Sequence, residues 1–579
     1  MRTEGKSELK RRKRTKTRVL KLLLILTVAV ITLAFLSAPA FVSSATFRET
    51  VNSNLEIPDP KGRKIEIAQI NSAVNLRPPG EQTNFNVSMA VVEENKQSKI
   101  QAGGRVQPEA SKTGWSLKGT TGDFIVEVND FDLGSLGSIL ALAGVEVEAK
   151  GVVSANIRSE VKDGQLDNLT GTIKGEDLDI TGPQLKGDRL QTGSLDVNVE
   201  MNRDGKKMNI GKLRIKSDWA ELNADGVVPA KVPGSLADLL EDDSNYSFKG
   251  SFNCDLAAVL SQMPQTLGLK EGTKVTSGKL TGNVETFTKA GKAKIGGQAN
   301  LAGLAGMVDG KEIALSEPIR ANLDITADNN EMNFDNLSLS AAFAKINASG
   351  NAEQIKYDGQ IGLAQLQSEL GQFINIGPYQ IAGAFSSKGQ ISIGKSKIAA
   401  VGSSALENLR LSSAEGVTAS EPMAEIAFAF NIDWENNILT LDSVEANAGL
   451  GNISTKGAVL PMNKNAAKPI ELTVFANTID LQKLRPFAVL FASLPQDTQL
   501  SGIAESRLSV SAKENIYQIV TDATSIKNLK LVAPDEKPFE QEDVSLILNA
   551  EINPEQKAIN VKTLKLESPQ VKIEKGESK

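Results

Sequence analysis

The chain contains no histidine, and Cys254 is its only cysteine. These absences exclude Ser-His-Asp and Cys-His catalysis, His- or Cys-cluster zinc sites and any intrachain disulfide. Aromatic residues make up only 4% of 579 residues, whereas Gly counts 48. An interior must therefore be lined mainly by Ala, Leu, Ile and Val, a composition suited to many strands and turns. The 70 Asp and Glu leave carboxylate chemistry open, but no paired-acid motif appears. An exported hydrolase is the weakest reading; the expectation is a non-enzyme with no cofactor and no metal.

The formal charge of −6 is unevenly spread. Residues 1–21 hold ten Lys and Arg against Glu4 and Glu8, a net of +8, which leaves −14 for the remainder. An acidic body is a poor partner for nucleic acid. The basic stretch directly precedes residues 22–43, an uncharged, apolar-dominated run long enough to cross the ~30 Å hydrocarbon core as a helix. Its flank predicts a single-pass anchor with a cytoplasmic N-terminus and an exported body. A cleaved signal peptide is the competing reading, with small residues at Ala38-Pro39-Ala40 and Ser43-Ser44-Ala45.

Beyond a linker at 44–63, apolar and polar residues alternate in runs of about six to ten, punctuated by turn signals. The runs recur in a fixed order. Residues 208–226 (MNIGKLRIKSDWAELNADG) align without a gap with 332–350 (MNFDNLSLSAAFAKINASG), and 439–457 (LTLDSVEANAGLGNISTKG) fits a third time. A fourth copy begins at Ile559 and places Leu564 and Leu566 in the same slots. In the complete copies the apolar phase slips midway, so each should contain two strands.

A second landmark, Asp132-Leu133, Asp255-Leu256, Gly362-Leu363 and Asp480-Leu481, ends a strand and opens a short helix-like stretch. A third is Leu178, Leu301, Leu409 and Leu529. Three landmarks sharing one variable spacing, about 117 residues, argue for repeats. The divisions are a basic tail 1–21, anchor 22–43, linker 44–63, partial repeat 64–150, repeats 151–277, 278–382 and 383–501, and a truncated repeat 502–579.

Five or six strands per cycle total more than twenty, beyond the ~10 at which an open twisted sheet curls, splits or flattens. The fold class expected is mainly β: the N-terminal transmembrane helix, then an elongated repetitive β-groove, an open coiled antiparallel sheet with short helices between repeats. Leu213, Ile215, Trp219, Leu337, Leu339, Phe343, Val444, Ala446, Leu450, Leu564 and Leu566 are the candidates to line it. A filled sandwich core fits the same alternation equally well.

In its N-terminal apolar segment, its Asp-Leu strand ends followed by a short helix, its strands carrying Gly151, Gly278, Gly383 and Gly502, and the NAxG-type ends at Gly226 and Gly350, the chain resembles the AsmA-like family. That family includes TamB-type repeating β-groove, bridge-like lipid transfer proteins. The resemblance covers nearly all of residues 64–579. It implies an inner-membrane-anchored protein in the periplasm of a diderm bacterium, carrying phospholipid along a hydrophobic groove, supporting outer-membrane biogenesis and working with envelope protein partners. The alternative is a scaffold or assembly factor for outer-membrane proteins that carries no lipid.

Two motifs point elsewhere. Residues 389–396, GQISIGKS, match the P-loop pattern, but Gln390 to Ile393 alternates like a strand and no helix pattern follows, so a hairpin is expected. Glu241-Asp242-Asp243 and Asp535-Glu536 lack regular cation-ligand spacing and read as solvated loops. Cys254 reads as a small packed residue.

Overall fold

The computed structural model describes residues 55–58, 64–75, 77–93, 96–110, 118–134, 147–230, 245–289, 292–328, 331–394, 396–463, 468–492, 494–513, 516–534, 536–553 and 558–575. The basic tail, the apolar segment 22–43 and most of the linker lie outside them. Among the described residues no helix is long and apolar enough to cross a membrane.

The fold is mainly β, and its 29 described strands belong to one antiparallel sheet. Successive strands pair with their chain neighbours, the arrangement that alternating runs joined by tight turns favour. The chain divides into two compact units, residues 1–313 and 314–579. The division falls inside the cycle expected at 278–382.

Within the cycles the chain order repeats. From Glu148–Lys162 six strands lead to helix α1 (Leu256–Gln262) and its short continuation α2 (Pro264–Leu267). Seven strands, one of only four residues, precede α3 (Leu363–Leu370), and six precede α4 (Leu481–Phe491). Five strands close the chain. The segments at 208–226, 332–350 and 439–457 are each two strands joined by a two-residue turn, at 218–219, 342–343 and 449–450. Those turns are where the apolar phase slips.

The Asp-Leu landmark is a helix start. Asp255 accepts from the Ala258 amide at 3.2 Å, and Asp480 accepts from the amides of Gln482 and Lys483 at 3.0 and 3.2 Å. Each satisfies donors that a helix N-terminus leaves unpaired. Asp132 makes the local part of the same contact, accepting from Gly134 N at 2.9 Å.

Gly151, Gly278, Gly383 and Gly502 each sit at a bulge in the first strand of a cycle, where pairing slips by a residue. At Gly151 φ is +110°, and a Cβ would stand 2.6 Å from the Asp177 carbonyl oxygen, so no side chain fits. The residue opposite the bulge is followed by Leu178, Leu304, Leu409 or Leu529. The third landmark therefore needs a correction. In the second cycle the place of Leu178 is taken by Leu304, not Leu301, and both are 7% exposed. Counted from the helix-start leucine, this position comes three residues later in the second cycle, Leu256 to Leu304 against Leu133 to Leu178, which hid the equivalence.

Candidate functional site: an apolar face without a second layer

Directly paired residues in an antiparallel ladder point to the same face, so the register converts sequence into rows that run across strands. In the first unit one row passes from Val87 through Ala102, Val126, Ile157, Gly171, Val199 and Leu213 to Ala224, Gly250, Val284 and Gly297. The adjacent row, two residues along each strand, runs from Met89 through Ile100, Val128, Ala155, Ile173, Val197 and Ile215 to Leu222, Phe252, Gly282 and Ala299. Neither contains a polar side chain. Between them, on the opposite face, Gln101, Glu127, Asn156, Thr172, Asn198, Arg214, Asn223, Ser251, Asn283 and Gln298 form a row that is polar throughout.

The second unit repeats the design. Leu323, Leu337, Ala348, Tyr357, Gly389, Gly402, Phe428, Val444, Thr455, Val474, Leu508, Thr521, Leu548 and Leu564 lie in one row. The neighbouring row holds Leu339, Ile346, Ile426, Ala446 and Ile453. It reaches Leu566 by way of Ala476, Ser506 and Thr524, whose hydroxyls are 2.6 Å apart. Residues that the sequence phase selected in different cycles, Leu337, Val444 and Leu564, thus share a row, as do Leu339, Ala446 and Leu566.

Apart from buried members such as Ala224, Thr455 and Thr521, these side chains are not packed away. Leu213, Leu337, Leu339, Val444, Ala446, Leu564 and Leu566 are half-buried. Ile215, Leu222 and Phe252, consecutive in one row, are each 39% exposed, and Val284 is 37% exposed. A sandwich would press such residues against a facing sheet and leave them nearly inaccessible. Apolar side chains at this exposure belong to a sheet face on which, among the described residues, no second layer is pressed.

Trp219, Phe343 and Leu450 belong elsewhere. They are the second residues of the three tight turns, at the rim where strands give way to helices. There the Trp219 carbonyl accepts from Asp255 N at 2.7 Å, Phe343 O from Gly362 N at 2.9 Å and Leu450 O from Asp480 N at 2.8 Å. Their shared phase reflects a repeated joint between a turn and a helix start. Reading them as row residues required the strand to continue through the turn.

Carboxylates hold this rim together. Buried Glu421 accepts from the amides of Gly449 and Leu450 at 2.9 and 3.2 Å, and buried Glu369 on α3 accepts from Ser316 N and Oγ at 2.8 and 2.5 Å. Asp218 takes the Ser194 hydroxyl at 2.6 Å and the amides of Gly193 and Ser194, which holds its carboxyl below the ordinary range. Asp179 is lowered likewise, chiefly by the Arg189 guanidinium. Each accounts for its charge by a structural contact.

Other chemistry is sparse. The P-loop-like segment is a hairpin, as its alternation predicted: strand Gln380–Ile393 turns into Lys397–Ser412, and Gly394 N donates to Lys397 O at 2.8 Å. Lys395, Glu241, Asp242, Asp243 and Asp535 lie outside the described residues. Among the described residues no cluster of His, Cys, Asp or Glu could hold a metal ion. Cys254 lies in the strand Tyr246–Asp255, paired with Ala220 and Leu280, and burial followed by the Asp255 charge raises its thiol pKa. A thiol so shifted is a weak nucleophile. No protein-family model and no curated protein matches the chain.

Sequence reasoning missed the hydroxyl-bearing members of the apolar face: Tyr357, Ser387, Ser404, Thr455, Ser506, Thr521 and Thr524. Serine and threonine count as polar in any alternation pattern. Only the cross-strand register shows them on the same face as leucines.

Proposed function

We propose that this protein is a non-enzymatic lipid conduit of the AsmA-like kind, in which acyl chains lie against the apolar sheet face and head groups stay in water. The observation that carries the reading is the 37–39% exposure of Ile215, Leu222, Phe252 and Val284 on a face whose rows continue strand after strand. Aqueous exposure of contiguous apolar surface is unfavourable and marks an interaction site. An acyl chain laid along it would gain about 0.8 kcal/mol per buried methylene. The gain is spread over many side chains, so cargo moves from row to row without meeting one dominant contact.

The run at 22–43, with its basic flank, fits an inner-membrane anchor and a periplasmic body supplying phospholipid towards the outer membrane. The test is photo-crosslinking in cells of the full chain, with a benzophenone residue replacing Leu213 or Leu337 on the apolar face, or Arg214 or Ser338 on the polar face. Mass spectrometry should find phospholipid adducts at the first two positions and not at the second two. Adducts to protein alone at Leu213 and Leu337 would favour a scaffold for outer-membrane proteins instead.

A further inference from the structure

The two units differ in the chemistry of their apolar faces. In the first, two adjacent rows cross eleven strands without one hydroxyl. In the second, the corresponding pair of rows changes character at the strands Gln354–Gly362, Gln380–Ile393 and Lys397–Ser412. One row there reads Gly359, Ser387, Ser404, and the other reads Tyr357, Gly389, Gly402. Ser404 Oγ lies 3.0 Å from Ser387 Oγ, and the Tyr357 hydroxyl lies 3.4 Å from Ser387 Oγ.

The glycines matter because of what lies over them. A Cβ on Gly389 or Gly402 would stand 2.9 or 2.8 Å from the Tyr357 hydroxyl oxygen, so the phenol spans the floor they leave open. Its hydroxyl is thereby laid among apolar neighbours, Phe428 being next in the row. The result is a patch of three hydroxyls, with at most one another for partners, on a face whose remaining row positions are mostly apolar.

Three strands further along the same row, at ~4.8 Å per strand or about 14 Å, stands Thr455. It is 9% exposed, lies between Val444 and Val474, and its hydroxyl oxygen has no hydrogen-bond partner among the described residues. A buried hydroxyl left unpaired costs free energy, and valine would fill the same space without that cost. The oxygen is closed off in this structure, so a ligand supplies the missing partner only when a neighbouring side chain swings aside.

We infer that these hydroxyls are hydrogen-bonding stations for the ester carbonyls of acyl lipids, so that the second unit recognises the polar joint of a lipid while the first unit meets only its chains. This rests on the lipid reading given above and adds to it the group that the second unit recognises. Hydroxyl donors suit an ester carbonyl, a neutral acceptor that travels inside the apolar zone. A charged head group would need cations, and the patch holds none.

The test uses the full chain in vesicles of phosphatidylethanolamine and phosphatidylglycerol, with photoactivatable probes carrying identical chains joined by ester or by ether bonds. Label is mapped to peptides. On second-unit peptides the ester probe should exceed the ether probe roughly three- to tenfold, the size of one or two net hydrogen bonds, with a ratio near one on first-unit peptides. Y357F/S387A/S404A should lower the second-unit ratio, T455V should lower it separately, and their combination should bring it close to one while ether labelling persists. Retained ether labelling shows that the face is still folded. A wild-type ratio near one on second-unit peptides overturns the inference, and a variant that leaves the ratio unchanged overturns the station it removes. Failure of both probes to label either unit would instead defeat the lipid reading itself.

Discussion

Gly383 has φ of +123°, and a Cβ there would lie 2.8 Å from the carbonyl oxygen of Glu407, backbone that cannot swing aside. Gly383→Ala is therefore expected to destabilise its unit by about 1–3 kcal/mol, read as a lower urea midpoint. Its recurrence at Gly151, Gly278 and Gly502 was legible because glycine carries a backbone meaning and here returns at one place in each cycle. Ser387 and Ser404 were not legible, because a serine on the apolar face and one on the polar face look alike until the register is known. Acid sensitivity also belongs to this scale. Asn436 donates to Asp433 from its side chain at 2.9 Å and its amide at 3.0 Å, and with Lys397 this lowers the Asp433 carboxyl. A lowered folded value stabilises above the ordinary Asp pKa of about 3.9 and is lost as pH falls through the folded value. Wild type should thus lose more stability between pH 6 and pH 3 than Asp433→Asn, as urea unfolding at the two values would show.

Among the elements, the helices at one rim differ in how they start. Asp480 caps α4 through two amides, whereas Gly362 precedes α3 with no side-chain cap. Asp480→Ala should cost about 0.5–2 kcal/mol. Gly362 has extended geometry, φ −82° and ψ 109°, and an added Cβ meets only Gln365 Cβ at 3.5 Å. Gly362→Asp should therefore stabilise by a few tenths of a kcal/mol, and urea titrations of the paired variants check both signs. The helix starts could be read from sequence because a cap is local: one acid, one following leucine, one short apolar run. The two-residue turns between paired strands were legible only as a phase slip. That is why Trp219, Phe343 and Leu450 passed for row residues, although their carbonyls hold the next helix start.

At the scale of the molecule, repetition made the β architecture readable, but alternation alone could not decide whether the apolar rows meet a second layer. Exposure favours an open face, and the consequence can be tested within the first unit. Ile215 is 39% exposed between Val197 and Leu222, while Leu178 is 7% exposed behind the Gly151 bulge. Lysine at 178 would bury an unpaired ammonium, at a cost of several kcal/mol, and should unfold the unit. Lysine at 215 can carry its charge to water along its own alkyl stem, so its cost should stay near 1 kcal/mol. The same charge would lie in the path of an acyl chain. Ile215→Lys is therefore expected to keep an urea midpoint close to wild type while losing most phospholipid crosslinking at Leu213, its neighbour two residues away on the same face. Equal unfolding by Ile215→Lys and Leu178→Lys would mean that the rows are a filled core, and the conduit would have no surface on which to carry lipid.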